Sequence, residues 1–390
     1  MKVLNGIKIL EVANYISGPW AGQMLAEFGA EVIKIETPTG GDPFRSHTPD
    51  NYSIGFRSFN RHKKGVTLDL RHTEGKAIFR RLAASTDVVL ENFRPGVMDK
   101  LGIGWNELRE LNPKLIYCAI SGFGPTGPYS DRPAYDTVIQ AMSGLLALST
   151  AQGSTSIAGP TFADSVSSLC AVNGIMGALF DRERRGNGCR VDVPMIDAMI
   201  SFLTHSVTLY CADGTKAGPL YRSAGSQCFV FVCKDERLIS VHLSTSPKFW
   251  QGLFDALGPS ELATDTRFDT LQKRISRYEE LGQALAPYFR LRDSSEWQLR
   301  LGAADVPYAP VNNADDLLAD PQVQHLGSLF DVGVGSERQS KSTARPVFYN
   351  GTRSFDAAPA PILGEHTEGV LESLGFDVGE RARLRSQGIV

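Results

Sequence analysis

Cysteines are few in this sequence, and long apolar runs are missing. Six cysteines occur among the 390 residues, and no two of them form a C-x-x-C pair. Scattered cysteines of this kind are typical of reduced thiols in a cytosolic protein. No apolar run approaches the roughly 18 residues of a membrane-spanning helix, and Lys8 and Glu11 come too early for the apolar region of a secretory signal. We therefore expect a cytoplasmic protein that does not enter a membrane.

An excess of charge of either sign is also missing. The 40 lysines and arginines nearly balance the 43 aspartates and glutamates, which leaves a net charge of −3. This balance gives no general electrostatic reason to bind nucleic acid or an anionic membrane. The seven histidines never pair at metal-binding spacing, and neither a G-x-S-x-G elbow nor a G-x-x-x-x-G-K-[ST] loop occurs. We expect no metal site, no serine nucleophile and no phosphate loop of that type.

The composition that remains is that of a folded globular protein, with 42% hydrophobic and 21% charged residues. At about 150 residues per domain, the length predicts two to three domains. In the N-terminal half, strands predicted at residues 7–12, 31–36, 87–90 and 115–120 are separated by helical patterns. This alternation predicts an α/β protein with a doubly wound, Rossmann-like parallel sheet. A Gly-, Ser- and Ala-rich stretch at residues 214–225 marks the best candidate for a domain boundary.

A formal G-x-G-x-x-G motif occurs at residues 122–127, directly after a predicted strand. In dinucleotide-binding folds such glycines precede a helix whose N-terminus faces the pyrophosphate. Here Pro125, Pro128 and Pro133 stand where that helix would begin and run, and a helix interior does not tolerate them. The motif therefore predicts an ordered loop rather than a nicotinamide site.

Asp164 lies in the most informative segment. Pro160 marks a helix start, and apolar residues from Val166 onward follow helical spacing. Asp164 would then lie in the first turn, where free N–H groups and the helix dipole favour its carboxylate form. Such an aspartate is ordinarily a simple helix cap, but an accessible one is also a covalent nucleophile. The local sequence leaves both readings open.

Two further segments carry weaker signals. Residues 60–64 form a short basic patch, which is more typical of a solvated turn than of a phosphate site. Residues 91–96 follow a predicted strand, at the end where ligands bind in open α/β sheets. Asn92 there is compatible with a ligand contact or with an ordinary turn.

Taken together, these stretches resemble the class III CoA-transferases, the family of formyl-CoA transferase and the carnitine-type CoA-transferases. The resemblance covers almost the whole chain, and the ordered succession of its segments makes it specific. The matching segments are residues 18–19, 25–36, 41–42, 60–64, 91–96, 121–124, 134–136, the Asp164 segment, 186–188, 192–193, 306–311 and 363–367.

The resemblance implies a reaction for Asp164. In the family, the matching aspartate attacks the thioester of an acyl-CoA and forms a mixed anhydride, which CoA thiolate converts into an aspartyl-CoA thioester. An incoming carboxylate then takes over the CoA. The resemblance therefore implies an acyl-CoA:carboxylate CoA-transferase, with succinyl-CoA as a candidate donor.

The resemblance also implies binding residues, partners and an assembly. The residues that match CoA contacts are Leu68, Leu70, Arg71, Asn92, Phe93, Lys100 and Tyr135. The CoA thioester is a substrate, and no permanently bound cofactor is expected. Family members form interlocked homodimers, which implies a large domain in residues 1–214, a small α+β domain in 215–315, and a C-terminal part, 316–390, that returns to the large one.

Several residues depart from the family pattern. Ile16, Thr37 and Pro133 replace a glutamine, an arginine and a lysine of formyl-CoA transferase, and the family's glycine-rich loop is altered at residues 223–227. These departures argue against formyl or oxalyl substrates. Arg45 and Arg222 are candidates to bind the second carboxylate of a dicarboxylic acid, although surface or structural roles explain them equally well.

Two alternatives stay open at this point. An α-methylacyl-CoA racemase has the same fold, but it carries a histidine where this chain has Tyr135, and a phenol with a pKa near 10 is a poor acid–base substitute. A non-catalytic CoA-binding protein is the second alternative.

Overall fold

The structure is a computed structural model that describes residues 1–150, 154–244, 246–333, 340–353 and 357–390. Its strands are β1 (Lys8–Val12), β2 (Glu31–Glu36), β3 (Lys63–Thr67), β4 (Val88–Glu91), β5 (Ile116–Ser121), β6 (Arg190–Pro194), β7 (Cys228–Val232), β8 (Leu238–His242), β9 (Tyr308–Pro310), β10 (Leu329–Val332) and β11 (Ser340–Thr343).

Helices connect most of these strands. They are α1 (Ser17–Glu27), α2 (Ile54–Phe59), α3 (Thr73–Ala83), α4 (Val97–Lys100), α5 (Trp105–Leu111), α6 (Asp136–Met142), α7 (Leu145–Ser149), α8 (Phe162–Arg185), α9 (Met195–Phe202), α10 (Thr204–Asp213), α11 (Tyr221–Gly225), α12 (Pro247–Leu257), α13 (Leu271–Ser276), α14 (Tyr278–Phe289), α15 (Ser294–Ala303), α16 (Ala314–Ala319), α17 (Pro321–Leu326), α18 (Thr367–Ser373) and α19 (Val378–Ser386). Short 3-10 helices occupy Pro43–His47 and Glu261–Thr264.

The described chain divides into two compact units. The first comprises Met1–Leu145, Ala158–Thr204 and His325–Val390, and the second comprises Leu146–Ile157 and His205–Gln324. The second unit holds an antiparallel sheet in the order β7-β8-β9. Phe231, Phe289 and Trp297 stack in its core with helices α12, α14 and α15 around them.

The first unit is built on a six-stranded parallel sheet in the order β3-β2-β1-β4-β5-β6. Successive residues of β5 alternate between two cores, as in Cys118, which faces one, and Tyr117, which faces the other. Burial of both faces is expected of parallel strands because their crossover helices cover both sides. The prediction of a parallel α/β sheet is confirmed.

Helix α8 fills the core on one side of this sheet. By length and composition alone it could cross a membrane, as could α9 and α10 if counted as one span bent by 73°. Ala171, Val172 and Ile175 of α8 are buried against α1 and β5. Packing inside the first unit therefore accounts for the apolar residues on the buried face of this helix.

A buried ionic cluster joins the carboxyl ends of β1 and β2 to neighbouring loops. The Nζ of Lys34 lies 3.1 Å from Glu11 Oε1 and 3.0 Å from Asp42 Oδ2, and it donates a 2.6 Å hydrogen bond to the carbonyl of Ala13. Lys63 Nζ lies 2.8 Å from Glu11 Oε2. The side chains of Lys34, Glu11, Asp42 and Lys63 are all inaccessible to solvent, so each charge depends on the others for compensation.

This cluster corrects one prediction and explains one glycine. Residues 60–64 are not a solvated turn, since Asn60, Arg61 and Lys63 are buried and Lys63 donates 2.7 Å hydrogen bonds to Asn60 Oδ1 and to the carbonyl of Pro19. A Cβ at Gly22 would lie 1.8 Å from Glu11 Oε2. Glycine is therefore required in the middle of α1 to admit the Glu11 carboxylate.

We expect Lys34→Met to lower the free energy of unfolding by about 3–5 kcal/mol, because it leaves two buried carboxylates without their shared cation. Urea denaturation followed by circular dichroism measures the change. The control is Lys64→Met on the adjacent strand, where Lys64 is half exposed and pairs with Glu31. That change should cost less than about 1 kcal/mol. Equal losses in the two variants would contradict the role given to the buried cluster.

Candidate active site

A cavity of about 230 Å³ opens at the carboxyl edge of the parallel sheet. It is lined by Asn14, Tyr15, Ser17, Asn92, Phe93, Arg94, Pro95, Ile120, Ser121, Gly122, Ser130, Arg132, Pro133, Ala134, Tyr135, Asp164 and Met195. Its walls include the turns after β1 and β4, the two central strands between which the strand order reverses. In open α/β sheets, ligands bind at this switch point.

The turns after β1 and β4 are held together by one amide side chain. Asn92 Oδ1 accepts a 2.9 Å hydrogen bond from the backbone N–H of Asn14, and Asn92 Nδ2 donates to the carbonyl of Asn14 at 2.8 Å and to Ser17 Oγ at 3.1 Å. Gly18 lies against the same amide, since a Cβ there would be 3.3 Å from Asn92 Cγ, and it would also be 2.3 Å from the Cβ of Ala13. Asn92 therefore shapes the cavity wall and is more than an ordinary turn residue.

Asp164 lies in the first turn of α8, as the sequence predicts. The helix begins here because Pro160 precedes it and the apolar positions that follow bury one face in the core. Its N-cap, Thr161, makes no side-chain hydrogen bond to the helix. Asp136 Oδ1 caps the helix instead. It accepts hydrogen bonds from the backbone N–H groups of Ala163 at 2.8 Å and Asp164 at 3.2 Å.

The pKa of Asp164 is raised, although its position in the first turn of a helix predicted a stabilised carboxylate. Burial, and secondarily the negative charge of Asp136, raise the pKa of Asp164 from its ordinary value to about 7. The free N–H groups that were expected to stabilise its charge donate to Asp136. The Asp164 carboxylate itself receives no hydrogen bond from any residue that the structure describes. It is therefore a half-buried, weakly stabilised carboxylate facing a cavity.

The structure brings together four of the predicted site residues. Asp164, Asn92, Phe93 and Tyr135 all line the cavity. Tyr135 is largely exposed and packs edge-on against Tyr15, with ring centroids 6.1 Å apart. The loop predicted at the motif of residues 122–127 is confirmed, since no helix follows it until Asp136.

The other predicted contacts lie apart from this cavity. Leu68 is 1% exposed and packs in the core, and Leu70 is partly buried beside it. Arg71 is highly exposed and forms a 2.9 Å ion pair with Asp69. Lys100 is exposed at the end of α4. Their roles in binding CoA stay predictions.

Of the two roles left open for Arg45, the structure supports the structural one. Arg45 is 0% exposed, and its Nε and Nη2 donate hydrogen bonds of 2.7 and 2.8 Å to the two carboxylate oxygens of Glu36. This fork–fork pair, a further 3.0 Å hydrogen bond from Nη2 to the carbonyl of Pro361, and complete burial close the guanidinium to a substrate. Arg45 is therefore a buried structural residue and cannot bind a second carboxylate.

Sequence reasoning missed Tyr15, Arg94 and Arg132, which also line the cavity. Tyr15 has a φ of 63°, the left-handed region that non-glycine residues rarely adopt. It is kept there by a 3.2 Å hydrogen bond from its N–H to Asp42 Oδ1, a member of the buried cluster. No sequence signal marks this strain, whereas Arg94 lies within residues 91–96, the segment that the sequence places at the ligand-binding end of the sheet.

Fold and site together define a doubly wound α/β protein that presents a partly desolvated carboxylate to a ligand at the carboxyl edge of its sheet. Known proteins share this arrangement of chain. A crystal structure of a CaiB/BaiF family protein from Brucella suis superimposes with a TM-score of 0.85 at 32% identity, covering 95% of this chain and 99% of that one.

A family model described as CoA-transferase family III matches residues 4–367. A succinate–glutarate CoA-transferase from Agrobacterium fabrum is 33% identical over 389 residues, covering 95% of each protein. A succinyl-CoA:glutarate CoA-transferase from Mus musculus is 30% identical over 416 aligned positions, covering 100% of this chain and 91% of that protein. The chain belongs to CoA-transferase family III, which confirms the resemblance and the assignment to the CoA-transferases.

The raised pKa of Asp164 gives a prediction about Asp136. In Asp136→Asn, the amide oxygen can still accept from the backbone N–H of Ala163, while the like charge disappears. We expect the pKa of Asp164 to fall below about 7, toward its ordinary value. The 13C chemical shift of the Asp164 carboxyl, assigned with Asp164→Asn, measures this pKa. An unchanged or higher pKa would contradict the part given to Asp136.

Proposed function

We propose that this protein transfers CoA from an acyl-CoA to a free carboxylic acid and that Asp164 is its nucleophile. The observation that carries the proposal is the Asp164 carboxylate itself. It faces a cavity at the switch point of the sheet, and no described residue donates a hydrogen bond to it. A carboxylate without such partners keeps its lone pairs available for attack. Membership of CoA-transferase family III supplies the substrate class.

The first half of the reaction releases the donor acid. An oxygen of Asp164 attacks the thioester carbonyl, the C–S bond breaks, and CoA leaves as the thiolate, so that a mixed aspartyl–acyl anhydride remains. The thiolate then attacks the aspartyl carbonyl of this anhydride. The C–O bond to the acyl group's carboxylate breaks, which frees the donor acid and leaves an aspartyl-CoA thioester.

The second half runs the same steps in reverse order with another acid. The acceptor carboxylate attacks the aspartyl thioester, and CoA thiolate leaves again. The thiolate then attacks the acceptor's acyl carbonyl in the new anhydride, forming the product thioester and restoring Asp164. Each step exchanges one activated acyl bond for another, so the sequence needs no external energy source.

The raised pKa of Asp164 suits both halves of this cycle. A carboxylate that burial and Asp136 destabilise is a stronger nucleophile than an exposed one, and it is still ionised in an appreciable fraction of molecules near pH 7. Because only the ionised form attacks, we expect activity to rise as the pH increases through about 7.

The names of the relatives suggest the substrates. Both are transferases that act with succinate or succinyl-CoA and glutarate. We therefore propose succinyl-CoA as donor and a short dicarboxylic acid as acceptor. Binding of CoA by Leu68, Leu70, Arg71, Asn92, Phe93, Lys100 and Tyr135, and a cytoplasmic location, are part of the same proposal.

Trapping experiments test the nucleophile. With acyl-CoA present, we expect borohydride or hydroxylamine to modify Asp164, detected by peptide mass spectrometry, because both reagents react with aspartyl thioesters and anhydrides. Asp164→Asn should lose at least about a thousandfold in kcat. The control is Asp181→Asn on the same helix, where Asp181 pairs with Arg185 at the surface.

Two outcomes would contradict the proposal. One is full turnover by Asp164→Asn without any modification of Asp164. The other is deuterium exchange at the α-carbon of a branched acyl-CoA without CoA transfer, which would favour a racemase. The control variant Asp181→Asn should keep the wild-type rate of CoA transfer.

We also propose that the chain forms an interlocked homodimer. Helix α10 has no buried residue, although it includes Val207 and Tyr210, and Phe180 and Leu169 of α8 are exposed as well. Apolar side chains exposed along whole helix faces mark interaction surfaces. Light scattering at micromolar concentration should give twice the 42.5 kDa chain mass, and a monomer would contradict this assembly.

A further inference from the structure

We propose that Arg132, assisted by Arg94, binds the distal carboxylate of a dicarboxylic substrate in the Asp164 cavity. This inference rests on the proposed function and identifies which residues select the acid. Arg94, Arg132 and Asp164 are the charged residues among those that line the described cavity. Two cations therefore face one carboxylate, and the cavity carries a surplus of positive charge that a second anionic group would complete.

Among the described residues, no acidic side chain forms an ion pair with Arg94 or Arg132, in contrast to Arg45 with Glu36 and Arg182 with Asp87. An arginine without an acidic partner keeps its N–H edge free for a carboxylate, which it can bind through two parallel hydrogen bonds.

Arg132 is held ready for an anion by two aromatic rings. Its guanidinium carbon lies 4.6 Å from the ring centroid of Tyr129 and 5.6 Å from that of Phe123. Contact with ring faces orients the guanidinium while its in-plane N–H donors stay available. The backbone supports this position, because Arg132 N–H donates a 3.0 Å hydrogen bond to the carbonyl of Tyr129.

The loop that carries Arg132 is closed tightly at its base. A Cβ at Gly122 would lie 2.3 Å from the Cβ of Ala134, so glycine is needed where the two ends of the loop meet. Residues 122–135 thus leave β5 and return to α6, whose first residue, Asp136, caps the Asp164 turn. One short segment therefore carries both the cap of the nucleophile's helix and the anion-binding arginine.

Arg94 lines the same cavity from the turn after β4. This turn is fixed by a 2.7 Å hydrogen bond from the N–H of Phe93 to Glu91 Oε2. It is joined to the turn after β1 by Asn92. Arg94 thus projects from a turn whose backbone is already positioned.

The size of the cavity favours a substrate carboxylate over the phosphates of CoA. A long pantetheine arm separates the thioester of CoA from its diphosphate, whereas only a few bonds separate the two carboxylates of succinate or glutarate. A cavity of about 230 Å³ that includes both Asp164 and the arginines accommodates a short diacid, one end at the nucleophile and the other at Arg132. The arginines also offset the repulsion that a dianion meets near Asp164.

A competition between two acceptors tests this inference. Glutarate and pentanoate differ in the distal carboxylate, so with one acyl-CoA donor the ratio of their kcat/KM values isolates that group. We expect Arg132→Gln to lower the glutarate-to-pentanoate ratio by about 10- to 100-fold, as loss of a charge-assisted interaction does, and Arg94→Gln to lower it less. The control is Arg109→Gln, since Arg109 is exposed and lies over the ring of Trp105, away from the cavity lining; its ratio should not change.

An unchanged ratio in Arg132→Gln, or a wild-type enzyme that does not prefer the diacid, would overturn the inference. An equal rise in the KM of every acyl-CoA, with the ratio unchanged, would overturn it in favour of phosphate binding. Calorimetric titration with glutarate and with pentanoate provides a readout that does not depend on turnover. If Asp164 is never trapped but glutarate binds the wild type at least tenfold more tightly than Arg132→Gln, the proposed function fails and the binding site stands.

Discussion

Asp136 and Asp164 place two carboxylates at the first turn of one helix, and the proposed chemistry depends on this arrangement. The backbone N–H groups of Ala163 and Asp164 donate to Asp136, so they cannot stabilise the Asp164 charge as free helix N-termini do. Burial and the like charge of Asp136 raise the pKa of Asp164 to about 7. The fold thus keeps the helix end satisfied while leaving Asp164, the proposed nucleophile, weakly stabilised.

The turn after β1, which forms part of the cavity wall, depends on the buried ionic cluster. Lys34 donates a hydrogen bond to the carbonyl of Ala13, and Asp42 accepts one from the N–H of Tyr15. The turn after β1 is therefore held in place by the buried cluster. Asn92 ties the same turn to its neighbour after β4. The left-handed conformation of Tyr15 persists because these contacts determine the backbone on both sides. Substrates therefore meet a wall that is already formed.

Much of the first unit could be predicted from local sequence. The strand predicted at residues 31–36 agrees with β2, and Asp164 was correctly placed in the first helical turn, because β-branched runs and a proline-marked helix start are local signals. The break at Leu203 between α9 and α10 has no such signal, because no glycine or proline stands there.

The features that local sequence did not predict depend on contacts between residues far apart in the chain. Lys63 was expected in a solvated turn and is buried because Glu11, 52 residues earlier, neutralises it. The pKa of Asp164 was expected to be low, but its neighbour Asp136 lies 28 residues away in the chain. Nothing in the local sequence distinguishes the role of Arg45 from that of Arg132. Only the fold shows that Arg45 is bound to Glu36, whereas Arg132 lines the cavity.

Isotope transfer tests the central claim, that Asp164 forms an anhydride with the acceptor. The wild-type enzyme would be turned over with acyl-CoA and an acceptor acid whose carboxylate carries 18O, and the Asp164 peptide analysed by mass spectrometry. Because the acceptor oxygen bridges the anhydride and stays with the aspartate when thiolate attacks the acyl carbonyl, we predict that 18O accumulates in Asp164. Turnover that leaves Asp164 free of 18O would contradict the account.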